Sequence, residues 1–175
     1  MKENYFVPPF IFLIVVFFAS AVLADDATLA KFKGGIGVIP VSSGVGTAAT
    51  AEVVNRNIVR GVQPAGQIWV IADLKAEVKV NGDIKVEGRG LILGGGNNAG
   101  RNTGQSVFAT LICEAALPFT ERSTTLTGVE LAPNGDFKID DVVTPLPTGG
   151  CASPMLLIRT AGSGNWFATG IVKFD

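Results

Sequence analysis

The segment AEVKVNGDIKVE, residues 76–87, constrains the fold more than any other stretch of the chain. Apolar side chains alternate with charged ones on both sides of Asn81-Gly82, a period that only extended chain converts into a single apolar face. Asn-Gly marks a tight turn between antiparallel strands. The same pattern sets the register. A two-residue loop at Asn81-Gly82 would place Val78 opposite Lys85 and mix the faces. A three-residue loop, Val80-Asn81-Gly82, pairs Val78 with Ile84 and Ala76 with Val86 on one face, and Glu77 with Lys85 and Lys79 with Asp83 on the other.

A second segment, VELAPNGDFKID (129–140), carries the same Asn-Gly-Asp followed by an apolar residue, a lysine, an apolar residue and an acid. The same loop applied to Pro133-Asn134-Gly135 predicts Leu131 against Phe137, Val129 against Ile139 and Glu130 against Lys138. The echo continues downstream, where VFATLI (107–112) resembles WFATGI (166–171), and each follows an apolar strand, LIL (91–93) and MLLI (155–158). Each half, near 67–113 and 124–174, reads as a hairpin, an apolar strand, a glycine-rich connection and a Phe-Ala-Thr strand. The reading is an internal repeat of hairpin plus two strands. GGIGVIPV (34–41) and QIWVIA (67–72) add strands, and AEVVNRNIVR (51–60) fits a strand or a helix. The expectation is an all-β chain, an antiparallel β-sandwich or barrel of about ten short strands, forming a single domain over residues 25–175. Residues 68–71, 107–112 and 155–158 are apolar at consecutive positions and read as strands covered on both faces.

The first 24 residues stand apart from this pattern. Lys2 precedes the apolar run FIFLIVVFFASAVLA (10–24), too short to span a hydrocarbon core comfortably, and Val22 and Ala24 are small enough for a signal peptidase site. This predicts a signal peptide over residues 1–24, cleaved before Asp25, and a secreted or periplasmic location. There, the two cysteines, Cys113 and Cys151, are expected to form a disulfide. Closing a loop of that length stabilises by about 3 to 4 kcal/mol in the chain-entropy model.

Several function classes are excluded by composition. Fourteen basic residues against fifteen acidic ones leave no electrostatic footprint for nucleic acid or an anionic membrane. The chain has no histidine, which removes serine and cysteine nucleophiles activated by imidazole and makes a metal pair at the cysteines implausible. GGGNNAGRNTG (94–104) imitates a phosphate loop, but Arg101-Asn102 stand where lysine and Ser/Thr would touch phosphate and magnesium. Gly44-Val45-Gly46 with Ala49 imitates a dinucleotide fingerprint without the βαβ alternation that gives it meaning, and is read as a flexible loop. No cofactor and no metal is expected.

Two functional readings remain. The first is a non-catalytic binding, surface or structural module whose partner is a carbohydrate or another extracellular protein. Its candidate ligand-binding residues are Asn97, Asn98, Arg101 and Asn102, because a connection over 94–105 is longer than a hairpin needs and carries a planar cation among amides. The alternative is an extracellular carboxylate-dependent hydrolase drawing on Asp136, Asp140 and Asp141. Trp69 and Trp166 are read as core residues ahead of recognition residues.

Overall fold

A computed structural model describes residues 27–45 and 53–174. The expected signal peptide and its expected cleavage site therefore lie outside the described residues, as do Gly46 and Ala49. The chain runs through β1 (Thr28–Gly37), β2 (Val41–Val45), β3 (Val53–Arg56), β4 (Trp69–Val70), β5 (Asp73–Lys79), β6 (Asp83–Arg89) and β7 (Ile92–Leu93). It continues through β8 (Ser106–Ile112), β9 (Arg122–Ser123), β10 (Val129–Glu130), β11 (Phe137–Val142), β12 (Met155–Thr160) and β13 (Trp166–Val172). The fold is all-β and antiparallel throughout its ladders. Among the described residues no helix is long and apolar enough to cross a membrane.

One sheet takes strands from both ends of the described chain, in the order β10-β8-β12-β13-β1-β5-β6-β11, with β9 also on β8. Its two margins then meet. Ser123, in β9, and Thr144, just past β11, exchange backbone hydrogen bonds of 2.9 Å in both directions, and the turn at 132–136 links β10 to β11. The sheet is thus a nearly closed barrel, which removes most of the exposed edge that an open sheet of this length would present. Its interior is filled by alternate residues of successive strands: Phe32, Leu74, Val78, Ile84, Val86 and Ile139 on one side, Ala109, Leu111, Leu156 and Ile158 on the other, all buried.

The first hairpin follows its pattern. Val78 pairs with Ile84, Ala76 with Val86 and Glu77 with Lys85, and the amide of Gly82, at φ +89°, donates to Lys79 O at 3.0 Å. The outer face carries rows of charge across strands, Lys31–Glu77–Lys85–Asp140 and Lys33–Lys75–Glu87–Lys138, so this side of the barrel faces water. Glu77 and Lys85 nevertheless take other partners: Thr28 Oγ1 donates to Glu77 at 2.6 Å, and Lys85 lies 3.5 Å from Asp140.

The second hairpin does not form as a ribbon. Its turn has the expected chemistry, with Ala132 N donating to Asp136 O and Gly135 N to Ala132 O, and Gly135 at φ +83°. The strands leading from it diverge. Val129 pairs with Val107 and Leu131 N donates to Gln105 O, while Phe137 pairs with Gly88, Ile139 with Val86 and Lys138 with Glu87. The expected pairs of Leu131 with Phe137, Val129 with Ile139 and Glu130 with Lys138 are therefore replaced. The physical reason is the free margin of β6: Gly88 leaves a notch that the Phe137 ring fills, and Glu87 and Lys85 offer opposite charge to Lys138 and Asp140.

The glycine-rich connection over 94–105 is likewise not a hairpin loop. β7 pairs with β4 (Trp69 with Leu93, Val70 with Ile92), whereas β8 pairs with β12 along its length. In the second half β12 and β13 are direct neighbours. The sequence echo therefore does not correspond to a repeated structural unit. Residues 107–112 and 156–158 are buried at every position, whereas Met155, also expected to be covered on both faces, is half-buried; the segment 57–66 lies against this side of the sheet near Ile112 and Trp166. It is held there by Ala65 N to Trp166 O, Trp166 N to Gln63 O and Arg60 to Ile112 O. Residues 68–71 depart from the expectation: Trp69 is buried, but Ile68 and Val70 are exposed, because the short β4–β7 ribbon is covered on one face only.

β2 and β3 pair with each other, which assigns 53–56 to a strand and places Gly44-Val45 in a ladder, in place of the expected flexible loop.

The two cysteines are joined. Cys113 directly follows β8 and Cys151 precedes β12, with Cα atoms 4.4 Å apart. Ser153 N donates to Cys113 O at 3.0 Å, and the Arg60 guanidinium donates to Ile112 O, Ser153 O and Ser153 Oγ, so backbone and side-chain bonds fix both flanks of the bridge.

Candidate functional site

The four loop residues singled out by length and composition fall into two groups. Asn102 is half-buried and structural: its Nδ2 donates to Leu131 O at 2.9 Å and Ala132 O at 2.6 Å, and its Oδ1 accepts from Gly104 N. It fastens the loop to the turn at 132–136. Asn97, Asn98 and Arg101 are exposed. Arg101 and Asn102 share a shallow groove of about 510 Å³ with Glu130 and Pro133, and Asn97 and Asn98 do not line it. The loop backbone is internally bonded, Leu93 N to Arg101 O, Gly100 N to Leu93 O and Arg101 N to Asn98 O.

The larger concavity lies at the seam of the barrel. β9 and β10 both pair with β8, and Thr124 N still donates to Ala109 O, but residues 125–128 leave the ladder, turning through a Gly128 N to Thr125 O bond. Across the gap stands β11. The resulting cleft of about 760 Å³ is lined by Phe108, Arg159, Glu121, Ser123, Asp141 and Thr144, together with the exposed side chains of Leu126 and Val142. Phe108 and Arg159 are cross-strand partners on β8 and β12 and share the outer face.

Arg159 is held from several directions. Nε donates to Gly164 O at 2.6 Å, Nη1 to Glu121 Oε2 at 2.5 Å and to Thr110 Oγ1 at 3.3 Å, and its guanidinium carbon sits 5.2 Å from the Phe108 ring centre. The side chain is 12 % exposed. Asp141 accepts from Thr125 N at 2.8 Å and Val142 N at 2.7 Å, and these two amides hold its carboxyl below the usual range.

Of the three carboxylates offered to a hydrolase, Asp136 stands apart, whereas Asp140 and Asp141 line one depression together with Glu77 and Asp83. Asp136 is engaged by Gly90 N and Asn134 Nδ2, and it stands roughly 16 Å along the strand from Asp141 at 3.3 Å per residue. Asp140 pairs with Lys85 on the outer face. Asp141 and Glu121 line the same cleft, a juxtaposition that the sequence did not suggest. Among the described residues no group of three or more His, Cys, Asp or Glu is placed to hold a metal ion.

Beyond β8, a second buried arginine organises the excursion over 114–122. Arg122 donates to Glu114 Oε1 at 2.8 Å and to Thr120 O at 3.1 Å, and Thr120 N donates to the other Glu114 oxygen. The Arg122 hydrogen bond is the main cause that brings the Glu114 pKa from 4.5 to about 2. Because the folded value is the depressed one, the stabilisation is present above 4.5 and is lost as pH falls toward 2. Glu114→Gln is therefore expected to be less stable than the parent at pH 7, and the difference should close between pH 4.5 and about 2 in urea midpoints taken across that window. A difference independent of pH would mean that Glu114 acts by packing alone.

Comparison with protein-family models, with curated proteins and with solved structures finds no match for this chain.

Proposed function

We propose that the protein is an exported, non-catalytic binding module, released from a leader at residues 1–24 into a secreted or periplasmic location, and that it recognises carbohydrate or another extracellular protein. The observation that carries this reading is the seam cleft: a rigid barrel stapled by Cys113–Cys151 presents an arginine already fixed in a concave site. A disulfide of this kind suits an oxidising compartment. Sites of a few hundred to about a thousand Å³ with a few convergent polar groups are where ligands are held. The loop residues Asn97, Asn98 and Arg101 belong to the same reading as a second recognition surface.

Hydrolysis by carboxylates is the weaker alternative. A general acid needs a raised pKa. Asp141 is shifted the other way, and Glu121 is engaged by Arg159.

Three measurements test the proposal. Mass analysis of the exported protein should find Asp25 at its amino terminus and no free thiol. The purified protein should release no reducing ends from polysaccharides above the level of an Asp141→Asn variant. It should bind saturably to a member of an immobilised panel of glycans and extracellular proteins. Retention of Met1 with reduced cysteines would defeat the export reading, turnover abolished by Asp141→Asn would favour the hydrolase, and a folded protein that binds neither panel would defeat recognition.

A further inference from the structure

We infer that the seam cleft is a site for a neutral saccharide, with Arg159 and Glu121 reading a pair of adjacent hydroxyl groups. The inference rests on the binding reading above and deepens it.

It begins from an anomaly of placement. β12 reads MLLIRT, and Arg159 follows three residues that are completely buried. A guanidinium set into such a strand carries a desolvation cost that its partners must offset. Nε and Nη1 have those partners, whereas Nη2 has no hydrogen bond among the described residues and is not a sealed polar atom, and the residue lines the cleft. The free donor is thus held in place by the bonds to Gly164, Glu121 and Thr110 and by the Phe108 ring beneath, so a ligand would lose little side-chain freedom on meeting it.

Ligand charge follows from what surrounds that donor. The cleft contains one cation, Arg159, and two carboxylates, Glu121 and Asp141. An anionic ligand would meet a net negative site, and Glu121 already occupies the arginine's other branch. A neutral polyol fits better. A hydroxyl both donates and accepts, so neighbouring sugar hydroxyls can take a hydrogen bond from Arg159 Nη2 and give one to a Glu121 oxygen. Ser123 and Thr144 line the same cleft, and Leu126 and Val142, both exposed, offer apolar surface to the C–H face of a ring. About 760 Å³ accommodates one or two sugar units.

The test is amide and arginine-side-chain chemical-shift mapping on the disulfide-bonded protein, titrated with methyl glycosides of glucose, galactose, mannose and N-acetylglucosamine, and with glucuronate as the charged comparison. The expected result is that at least one neutral glycoside moves the Arg159 Nε signal and the amides of Thr125, Leu126, Val142 and Gly164, and that glucuronate binds more weakly. Arg159→Lys keeps the cation and loses the planar fork, and is expected to weaken that glycoside at least tenfold. Should that variant not fold, Leu126→Asp, at an exposed position, should weaken the same glycoside and leave the melting temperature unchanged. Shifts confined to 97–104 would overturn this site and leave the recognition reading standing, as would panel binding to a protein with no glycoside response in the cleft. Undiminished binding by folded Arg159→Lys would overturn the role of the arginine.

Discussion

Replacing both cysteines, Cys113→Ala with Cys151→Ala, is expected to lower stability by about 4 kcal/mol while leaving the fold intact. The bridge closes a sequence separation of 38 residues, and the chain-entropy relation gives about 4 kcal/mol for a loop of that size. Alanine is the right replacement because Cys113 is 4 % exposed and packs in the core, where a serine hydroxyl would add its own desolvation cost. The native state should change little. Ser153 N still bonds Cys113 O, and Arg60 still grips Ile112 O, Ser153 O and Ser153 Oγ, so the end of β8 stays beside the approach to β12 without the sulfurs. The loss therefore resides in the unfolded chain, which gains the freedom that the bridge removed. With a urea m-value of about 2 kcal/mol/M, the midpoint should fall by about 2 M. Since domains are stable by about 5 to 15 kcal/mol, the variant remains folded at 25 °C. A loss below about 1 kcal/mol would show that residues 113–151 are already held together in the unfolded chain.

What the sequence discloses about this barrel is its local pairing. Between Val78 and Ile84 the turn fixes the partner, since only one register puts the apolar side chains on one face. The Asn134-Gly135 turn carries the same information, yet β10 and β11 leave it for β8 and β6. The difference lies in what else is within reach. β5 has β6 beside it and β1 beyond, whereas the second turn sits where the two margins of one sheet approach each other. Pairing with those margins brings β10 and β11 to the two sides of the seam where the barrel closes. Gly88, whose missing side chain receives Phe137, is the sequence element that decides this, and nothing local to 129–140 points to it. The echo of Phe-Ala-Thr strands misleads for a related reason: VFATLI and WFATGI share a need for burial, which two unlike positions in the sheet satisfy equally.

The candidate site was legible to the same partial degree. The length of the 94–105 connection marked Arg101 and Asn102, and these do share a groove, but Asn102 spends its amide on Leu131 and Ala132. Arg159 carried a signal that composition alone does not exploit: a cation following Leu156-Leu157-Ile158 needs an acceptor, and Glu121 answers it from 38 positions away. Glu121, Phe108 and Asp141 come together only when β8, β12 and the seam are assembled, so no window of sequence contains the cleft.

Trp69→Ala is expected to cost about 3 to 5 kcal/mol, the range for removing a buried aromatic, and to loosen one end of the barrel before the rest. Trp69 is 4 % exposed and stacks on Phe167, with ring centres 3.9 Å apart and planes 12° from parallel. Its amide donates to Val38 O, which joins the β4–β7 ribbon to the end of β1. That ribbon has only two residue pairs, Trp69 with Leu93 and Val70 with Ile92, too few to hold itself together without the stacked ring. The 94–105 loop hangs from it through Gly94 N to Ile68 O and Leu93 N to Arg101 O. Truncation should therefore speed hydrogen exchange at Leu93, Gly94 and Gly100 more than at the amides of β8 or β12. Trp166 remains as the fluorescent reporter, its indole N–H donating to Asn57 O, so the transition stays observable by fluorescence and by circular dichroism. Trp69→Phe, which keeps a ring over Phe167, should recover more than half of the loss. If Trp69→Ala costs less than about 1 kcal/mol, the stack is not what anchors the ribbon, and the tryptophan returns to the set of residues available for recognition.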